Sequence, residues 1–185
     1  ALVWNGEAFV DDVRAIEPAL DILAADSWRS SHGAAAHFDL HCLRFEAGVA
    51  RWALDAGLPI PSAREWASMR RAMIAAILTA HHDTHRDACL ETGQDLFPRI
   101  GWEMIGGHAG PVFVLRIRAC PPMRDDTTLL WTGLTDPRLH PTVKGPDIER
   151  LGKLRGVAAS RGCDDAILAD PNRTVLEAST GSLVW

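Results

Sequence analysis

Lysine is almost absent from this chain: only Lys144 and Lys153 occur among 185 residues that include seventeen arginines. Any amine chemistry must use one of those two side chains. Cysteine is also sparse, at Cys42, Cys89, Cys120 and Cys163, with no Cys-x-x-Cys pair. That spacing argues against a zinc ribbon or a disulfide framework and reads as free thiols in a reducing compartment. No long apolar run exists. The longest, Ala72 to Ala80, has a threonine inside it and falls far short of the roughly 20 residues a membrane helix needs. Nor does a charged segment followed by an apolar one open the chain, so the expected location is cytoplasmic. Net charge is −5 and no basic run goes beyond Arg70-Arg71, which leaves no electrostatic footprint for nucleic acid. A small polar or anionic substrate stays possible, because local arginines can act against the global sign.

The remaining composition, 47% hydrophobic and 23% charged, is that of an ordinary globular chain. The two lysines separate by setting. Ile148, Leu151, Leu154, Val157 and Ala158 recur at helical spacing after Gly145-Pro146, with Asp147 as the expected N-cap. Lys153 lies off that stripe, four residues after Glu149, the order that favours an ion pair on a solvated face. Lys144 ends a short Pro-Thr-Val-Lys stretch at the mouth of that helix. In α/β proteins such junctions carry chemistry.

Elsewhere, Val3 to Phe9 reads as a hairpin turned by Asn5-Gly6, followed by an irregular segment. Ser31-His32-Gly33 reads as a second turn, between Trp28-Arg29 and His37-Phe38. A helix is expected over 40–56, ending at Gly57. A longer one is expected from Ser62, with Glu65 completing a capping box, to about Glu91; its buried stripe would be Trp66, Met69, Met73 and Ile77. Strands are expected over 112–118, 128–131, 165–169 and 174–177, with a turn at Asp170-Pro171-Asn172-Arg173 and an apolar strand at 182–185. Cys120-Pro121-Pro122 followed by charge is the best linker. It divides the chain into a smaller N-terminal α+β domain, 1–120, and the start of a larger α/β domain, 121–185. His81 and His85 are one helical turn apart, but no third ligand group is evident and no metal site is expected. Trp4, Trp52, Trp66 and Trp131 fall on apolar stripes and read as core.

Three charged residues stand at element junctions: Arg44 in His41-Cys42-Leu43-Arg44-Phe45, Lys144, and Glu177 before Ala178-Ser179-Thr180-Gly181-Ser182. Together they form a kit for pyridoxal phosphate. A lysine amine forms a Schiff base with the aldehyde, a carboxylate keeps the pyridine nitrogen protonated, and an arginine fork holds the phosphate. Taken singly, Glu177 also reads as a solvated strand-end carboxylate and Arg44 as a surface arginine.

Motif order decides between these readings. The Asn-Gly hairpin, His41-Cys42-Leu43-Arg44-Phe45, Lys144-Gly145-Pro146-Asp147, Gly162 to Asp170 and Val175-Leu176-Glu177-Ala178-Ser179-Thr180 occur in the order found in class IV aminotransferases. The chain resembles that fold-type IV pyridoxal phosphate family, which includes branched-chain and D-amino acid aminotransferases and aminodeoxychorismate lyase. The resemblance implies a two-domain D-amino acid aminotransferase-like fold with the cofactor between the domains. It also implies that Lys144 carries the Schiff base and moves the Cα proton, that Glu177 pairs with the ring nitrogen, and that Arg44 binds phosphate. Ser179 and Thr180 would line the cofactor loop, and Ser27 stands where the lyase branch keeps a hydroxyl near the substrate. A homodimer acting on an amino acid and a keto acid is expected.

Some features depart from the family. There is no tyrosine, so the ring-hydroxyl tyrosine of the branched-chain enzymes has no counterpart, and Asp147 and Ser182 replace the usual asparagines. The family's second phosphate-binding turn has no counterpart in the chain, and the C-terminal domain is expected to be incomplete. A lyase of the same family and a non-catalytic relative are the alternatives.

Overall fold

The structure is a computed structural model that describes residues 1–86 and 95–183. It contains two compact units, one of residues 1–121 with 143–145 and one of residues 122–142 with 146–185.

The first unit is built on an antiparallel sheet of β1 (Leu2–Trp4), β2 (Phe9–Asp11), β3 (Asp21–Ser27), β4 (Arg99–Met104) and β5 (Val112–Arg116), in the order β2-β1-β5-β4-β3. The expected hairpin pairs Val3 with Val10 and Trp4 with Phe9. Its connection is a four-residue loop held by Asn5, whose side-chain oxygen accepts the N–H groups of Glu7 at 3.0 Å and Ala8 at 2.9 Å. Such an Asx turn replaces the tighter two-residue form.

Helices α1 (Phe38–Ala56) and α2 (Ala63–Arg86) follow. The α1 helix buries Cys42, Phe45, Val49 and Ala53, a single stripe at three- and four-residue spacing. It stops where Gly57 turns left-handed and its N–H reaches the carbonyls of Ala53 and Leu54. In α2 the capping box forms as read: the Ser62 N–H donates to Glu65 Oε2 at 2.7 Å and the Glu65 N–H to Ser62 Oγ at 3.3 Å. Met69, Met73 and Ile77 are buried. Phe45, Val49, Met73 and Ile77 pack with Trp28, Ile100, Trp102 and Leu115 into the main core. Burying a side chain such as Phe45 contributes about 1.5–3 kcal/mol. Burial also pushes the Cys42 thiol up to about 11, so it packs as an inert apolar group. Cys120 and Cys163 are free as well; Cys89 and the expected end of α2 near Glu91 lie outside the described residues.

Several expectations are corrected. The segment read as irregular contains β3. The turn at Ser31 forms, with Ser31 and Ala34 bridged, but no hairpin flanks it: Ser30 bridges to Leu96 and Phe38 opens α1. Trp28 and Trp102 are buried, whereas Trp131 is 40% exposed. His81 is buried and pairs with Ser30 Oγ at 3.0 Å. Among the described residues no group of three metal-type ligands is gathered.

Side chains alternate along β4, so Ile100 and Trp102 face the helices while Arg99, Gly101 and Glu103 face the opposite side. There Glu103, fully buried, accepts from Arg99 Nη2 at 2.9 Å and Arg116 Nη2 at 2.7 Å. A Cβ at Gly101 would collide with that carboxylate.

In the second unit β6 (Leu129–Leu130) and β7 (Asp165–Ala169) are parallel, and β8 (Val175–Ala178) adds antiparallel to β7. A parallel pair needs a crossover connection, which α3 (Ile148–Ser160) provides. The Asp170 turn closes through the Thr174 N–H on Asp170 Oδ1 at 2.7 Å. Lys153 pairs with Glu149 at 2.8 Å on the exposed face. Asp147 stands at the α3 N-cap, yet its side chain makes no cap bond. It accepts instead from the N–H groups of Leu139 at 3.0 Å and His140 at 2.8 Å. Ser182 and Leu183 form no strand, and the rest of the stretch expected over 182–185 lies outside the described residues. No helix among the described residues is long and apolar enough to cross a membrane.

Candidate active site

Residues 143–145 belong to the first unit although the chain on either side of them belongs to the second. Their placement against β3 follows from local sterics. The Ala25 N–H donates to the Lys144 carbonyl at 2.7 Å, and Val143 packs against the main core. Gly145 has φ +130°, and a Cβ there would stand 2.6 Å from the Ala25 nitrogen. Only glycine tolerates both conditions. The lysine backbone is therefore locked to the strand that carries Asp26.

Asp26 shares the helix-facing side of the sheet with its partner Ile100. Its carboxylate is fully buried and collects three basic side chains. Arg44, on α1, donates from Nε to Oδ2 at 2.6 Å and from Nη2 to Oδ1 at 2.7 Å. One helical turn earlier, His41 places Nδ1 3.0 Å from Oδ1. Lys144 Nζ stands 3.5 Å from the same oxygen, and the Ser27 N–H also donates to it at 2.7 Å. Burial pushes the Asp26 carboxyl up, but the Arg44 hydrogen bonds, the Lys144 charge and His41 together outweigh it and hold it below its ordinary value.

Asp26 does not face one cation alone: Arg44 and Lys144 both reach it. Nor are the cations sealed: the Arg44 side chain is 53% exposed and that of Lys144 44%. An amine and a guanidinium, both anchored and both accessible, fit an anionic carbonyl compound such as a phosphorylated aldehyde. Pyridoxal phosphate has that chemistry.

Glu177, Ser179 and Thr180 are gathered in the second unit. On β8, Glu177 pairs with Arg138 Nη1 at 2.7 Å, and Arg138 in turn holds Asp136 at 2.6 Å. The Ser179 hydroxyl donates to the buried Asp165, and the Thr180 N–H and hydroxyl donate to the same carboxylate at 3.0 and 2.5 Å. Burial pushes the Asp165 carboxyl up, and these hydroxyls and backbone donors outweigh it, holding it low. Both hydroxyls thus brace the loop after Glu177 from within. Ser27 is half-buried at the end of β3 and adjoins the Asp26 cluster through its backbone.

Four residues with clear parts in these clusters carried no role in the sequence reading. Asp26 holds the basic cluster, His41 joins it, Arg138 faces Glu177, and Asp165 braces the hydroxyl loop. His41 had a signal, its place one turn before Arg44. The others are acidic or basic residues whose partners come from distant segments.

No family model matches the sequence and no curated protein matches it. Solved structures do match the fold. A hypothetical aminotransferase from Mycobacterium tuberculosis, in its alpha-ketoglutarate and PMP bound form, superposes with TM-score 0.66 at 19% identity, covering 97% of this chain and 65% of that one. The fold IV-transaminase CpuTA1 from Curtobacterium pusillum gives TM-score 0.64 at 20% identity, over 97% of this chain and 64% of that one. A protein described as a 4-amino-4-deoxychorismate lyase from Legionella pneumophila gives TM-score 0.54 at 12% identity, over 89% and 61%. The chain thus has the fold of the fold-type IV transaminases and spans between 61% and 65% of the length of these structures.

Proposed function

We propose that this chain is part of a pyridoxal phosphate-dependent enzyme of the fold-type IV class, a transaminase that moves an amino group between an amino acid and a keto acid. The observation that supports it most is the convergence of Lys144 and Arg44, accessible and anchored, on the buried Asp26. When bound, pyridoxal phosphate supplies an aldehyde for condensation with amines and a ring that withdraws electrons. Lys144 would hold it covalently and, once released by substrate, take a proton from the substrate Cα and return one elsewhere. Arg44 would bind the phosphate by the guanidinium surface that Asp26 leaves exposed. Glu177 would face the pyridine nitrogen, with Arg138 fixing its carboxylate, and the loop of Ser179 and Thr180 would line the same ligand. A homodimer is the assembly proposed, by analogy of fold.

Absorption spectroscopy of the purified protein with added pyridoxal phosphate tests this reading, followed by borohydride reduction and peptide mapping. A visible band lost on reduction, with the label on Lys144, is expected. An amino-donor screen then separates transamination from lysis: a keto acid formed only with an acceptor present marks the transaminase. Pyruvate released from aminodeoxychorismate without an acceptor would mark the lyase, to which Ser27 beside the Asp26 cluster and the absence of tyrosine lend support. No band at all would favour a non-catalytic relative.

A further inference from the structure

We propose that Asp136 is a positioning residue that holds Arg138 to a single contact with Glu177, so that Glu177 keeps one oxygen for the ring nitrogen of the ligand. The proposal rests on the pyridoxal phosphate reading above and adds to it a residue that acts only through Arg138.

One guanidinium shared between two carboxylates carries the argument. Asp136 takes one edge of it: Arg138 donates to Oδ2 from Nε at 2.8 Å and from Nη2 at 2.6 Å, and its backbone N–H donates to Oδ1 at 3.0 Å. Glu177 takes the other end, through one contact of Oε1 with Nη1 at 2.7 Å. Among the described residues nothing pairs with Glu177 Oε2. The segment that carries Asp136 is itself fixed to the sheet. Its N–H donates to the Ala169 carbonyl at 2.8 Å and Thr135 bridges to Ala169, at the end of β7 that pairs with β8. Pro137, between the acid and the base, limits the backbone further. Asp136 and Arg138 are only 13% and 14% exposed, against 39% for Glu177. Burial pushes the Asp136 carboxyl up, and the bonds from Arg138 outweigh it and hold it below its ordinary value. A guanidinium released from Asp136 has a different best arrangement, because an arginine fork and a carboxylate prefer two parallel contacts to one. Both Glu177 oxygens would then be drawn onto Arg138, leaving a ring nitrogen only their outer lone pairs. Asp136 prevents this by occupying the fork, so the more buried acid sets how much of the exposed one is available.

The test compares pyridoxal phosphate with its deaza analogue, which keeps the aldehyde, ring hydroxyl and phosphate but carries C–H in place of the ring nitrogen. Dissociation constants of both are measured by absorption titration for the protein and for Asp136→Asn. The nitrogen-15 resonance of ring-labelled pyridoxal phosphate reports whether the bound nitrogen is protonated, and near-UV circular dichroism reports whether the variant folds. In Asp136→Asn the preference for pyridoxal phosphate over the analogue should fall about fivefold or more, the size of one lost hydrogen bond to a charged group. Affinity for the analogue should change by less than about twofold, and the nitrogen resonance should move toward the unprotonated position. In the double variant Asp136→Asn/Arg138→Met, which removes the fork as well, the preference should recover toward that of the parent.

A smaller fall in preference, or an equal weakening of both ligands, would show that Asp136 serves the fold alone and overturns the proposal. A double variant no better than the single one overturns it too. If Asp136→Asn does not fold, Arg138→Met alone takes its place: with no fork to compete, it should keep the preference to within about threefold, and a larger loss overturns the proposal. A parent protein that carries the borohydride label on Lys144 yet does not distinguish the two ligands has the same consequence. Failure of the function itself is seen separately, because the unmodified protein would then show no label on Lys144.

Discussion

Two buried carboxylates lie on opposite faces of one sheet, and each collects arginines, yet they do different things. Glu103 is fully buried and its partners Arg99 and Arg116 are each only 17% exposed. The guanidiniums are shut in with the acid, and their Nε–H groups are buried without hydrogen-bond partners. Asp26 is just as buried, but its partners Arg44 and Lys144 are 53% and 44% exposed. The first arrangement is closed and can only hold strands together. The second anchors cations at one end and leaves them open at the other, as a binding site requires. Burial of the acid is common to both; exposure of the base is what sets the Asp26 cluster apart as the candidate site.

The largest expected effect tests the closed cluster. Glu103→Gln leaves two half-buried guanidiniums, each only 17% exposed, without their counter-charge, and such a break costs about 3–5 kcal/mol; urea unfolding should show that loss, and a loss below about 1 kcal/mol would contradict the closed reading. Gly145→Ala comes next. A side chain at φ +130°, with its Cβ 2.6 Å from the Ala25 nitrogen, should cost about 1–3 kcal/mol in strain and displace Lys144, read as lost borohydride labelling. Asp26→Asn should destabilise less than Glu103→Gln, by about 1–3 kcal/mol, because its orphaned partners can turn to water.

A pH signature goes with Asp26. Its carboxyl is held low in the folded state, so its contribution is present above the ordinary carboxylate value of about 3.9 and is lost as pH falls below it. Acid unfolding curves of Asp26→Asn should be flatter than those of the parent in that range. The smallest effect concerns the other lysine. Lys153 and Glu149 are 75% and 82% exposed, so Lys153→Ala should change stability by no more than about 0.5 kcal/mol and leave labelling of Lys144 intact.

Elements with local signals were legible in the sequence. The Asn5 turn, the Gly57 stop, the Ser62–Glu65 box and the Asp165–Ala169 strand each declare themselves within a few residues. Two strands did not. In β3, Asp-Ile-Leu-Ala-Ala-Asp-Ser has little strand propensity and buries Ala24, Ala25 and Asp26 in succession, which erases the period-two alternation. In β4, the residues that should mark a solvent face, Arg99 and Glu103, turn into a buried ion cluster. The false hairpin around Ser31 arose because Ser30 pairs with Leu96, a partner no local pattern announces. The candidate site divides in the same way. Lys144, Arg44 and Glu177 were visible as motif residues. Asp26 was not, because its partners His41, Arg44 and Lys144 lie on a helix and on a distant loop, and an aspartate in an alanine-rich stretch carries no local signal.

The most direct measurement is the site of borohydride-fixed pyridoxal phosphate among the chain's amines, mapped by peptide mass spectrometry. Stoichiometric label on Lys144, with Lys153 unmodified, is the predicted result. Label spread over both lysines, or confined to Lys153, would mean that the open cluster around Asp26 is no cofactor site.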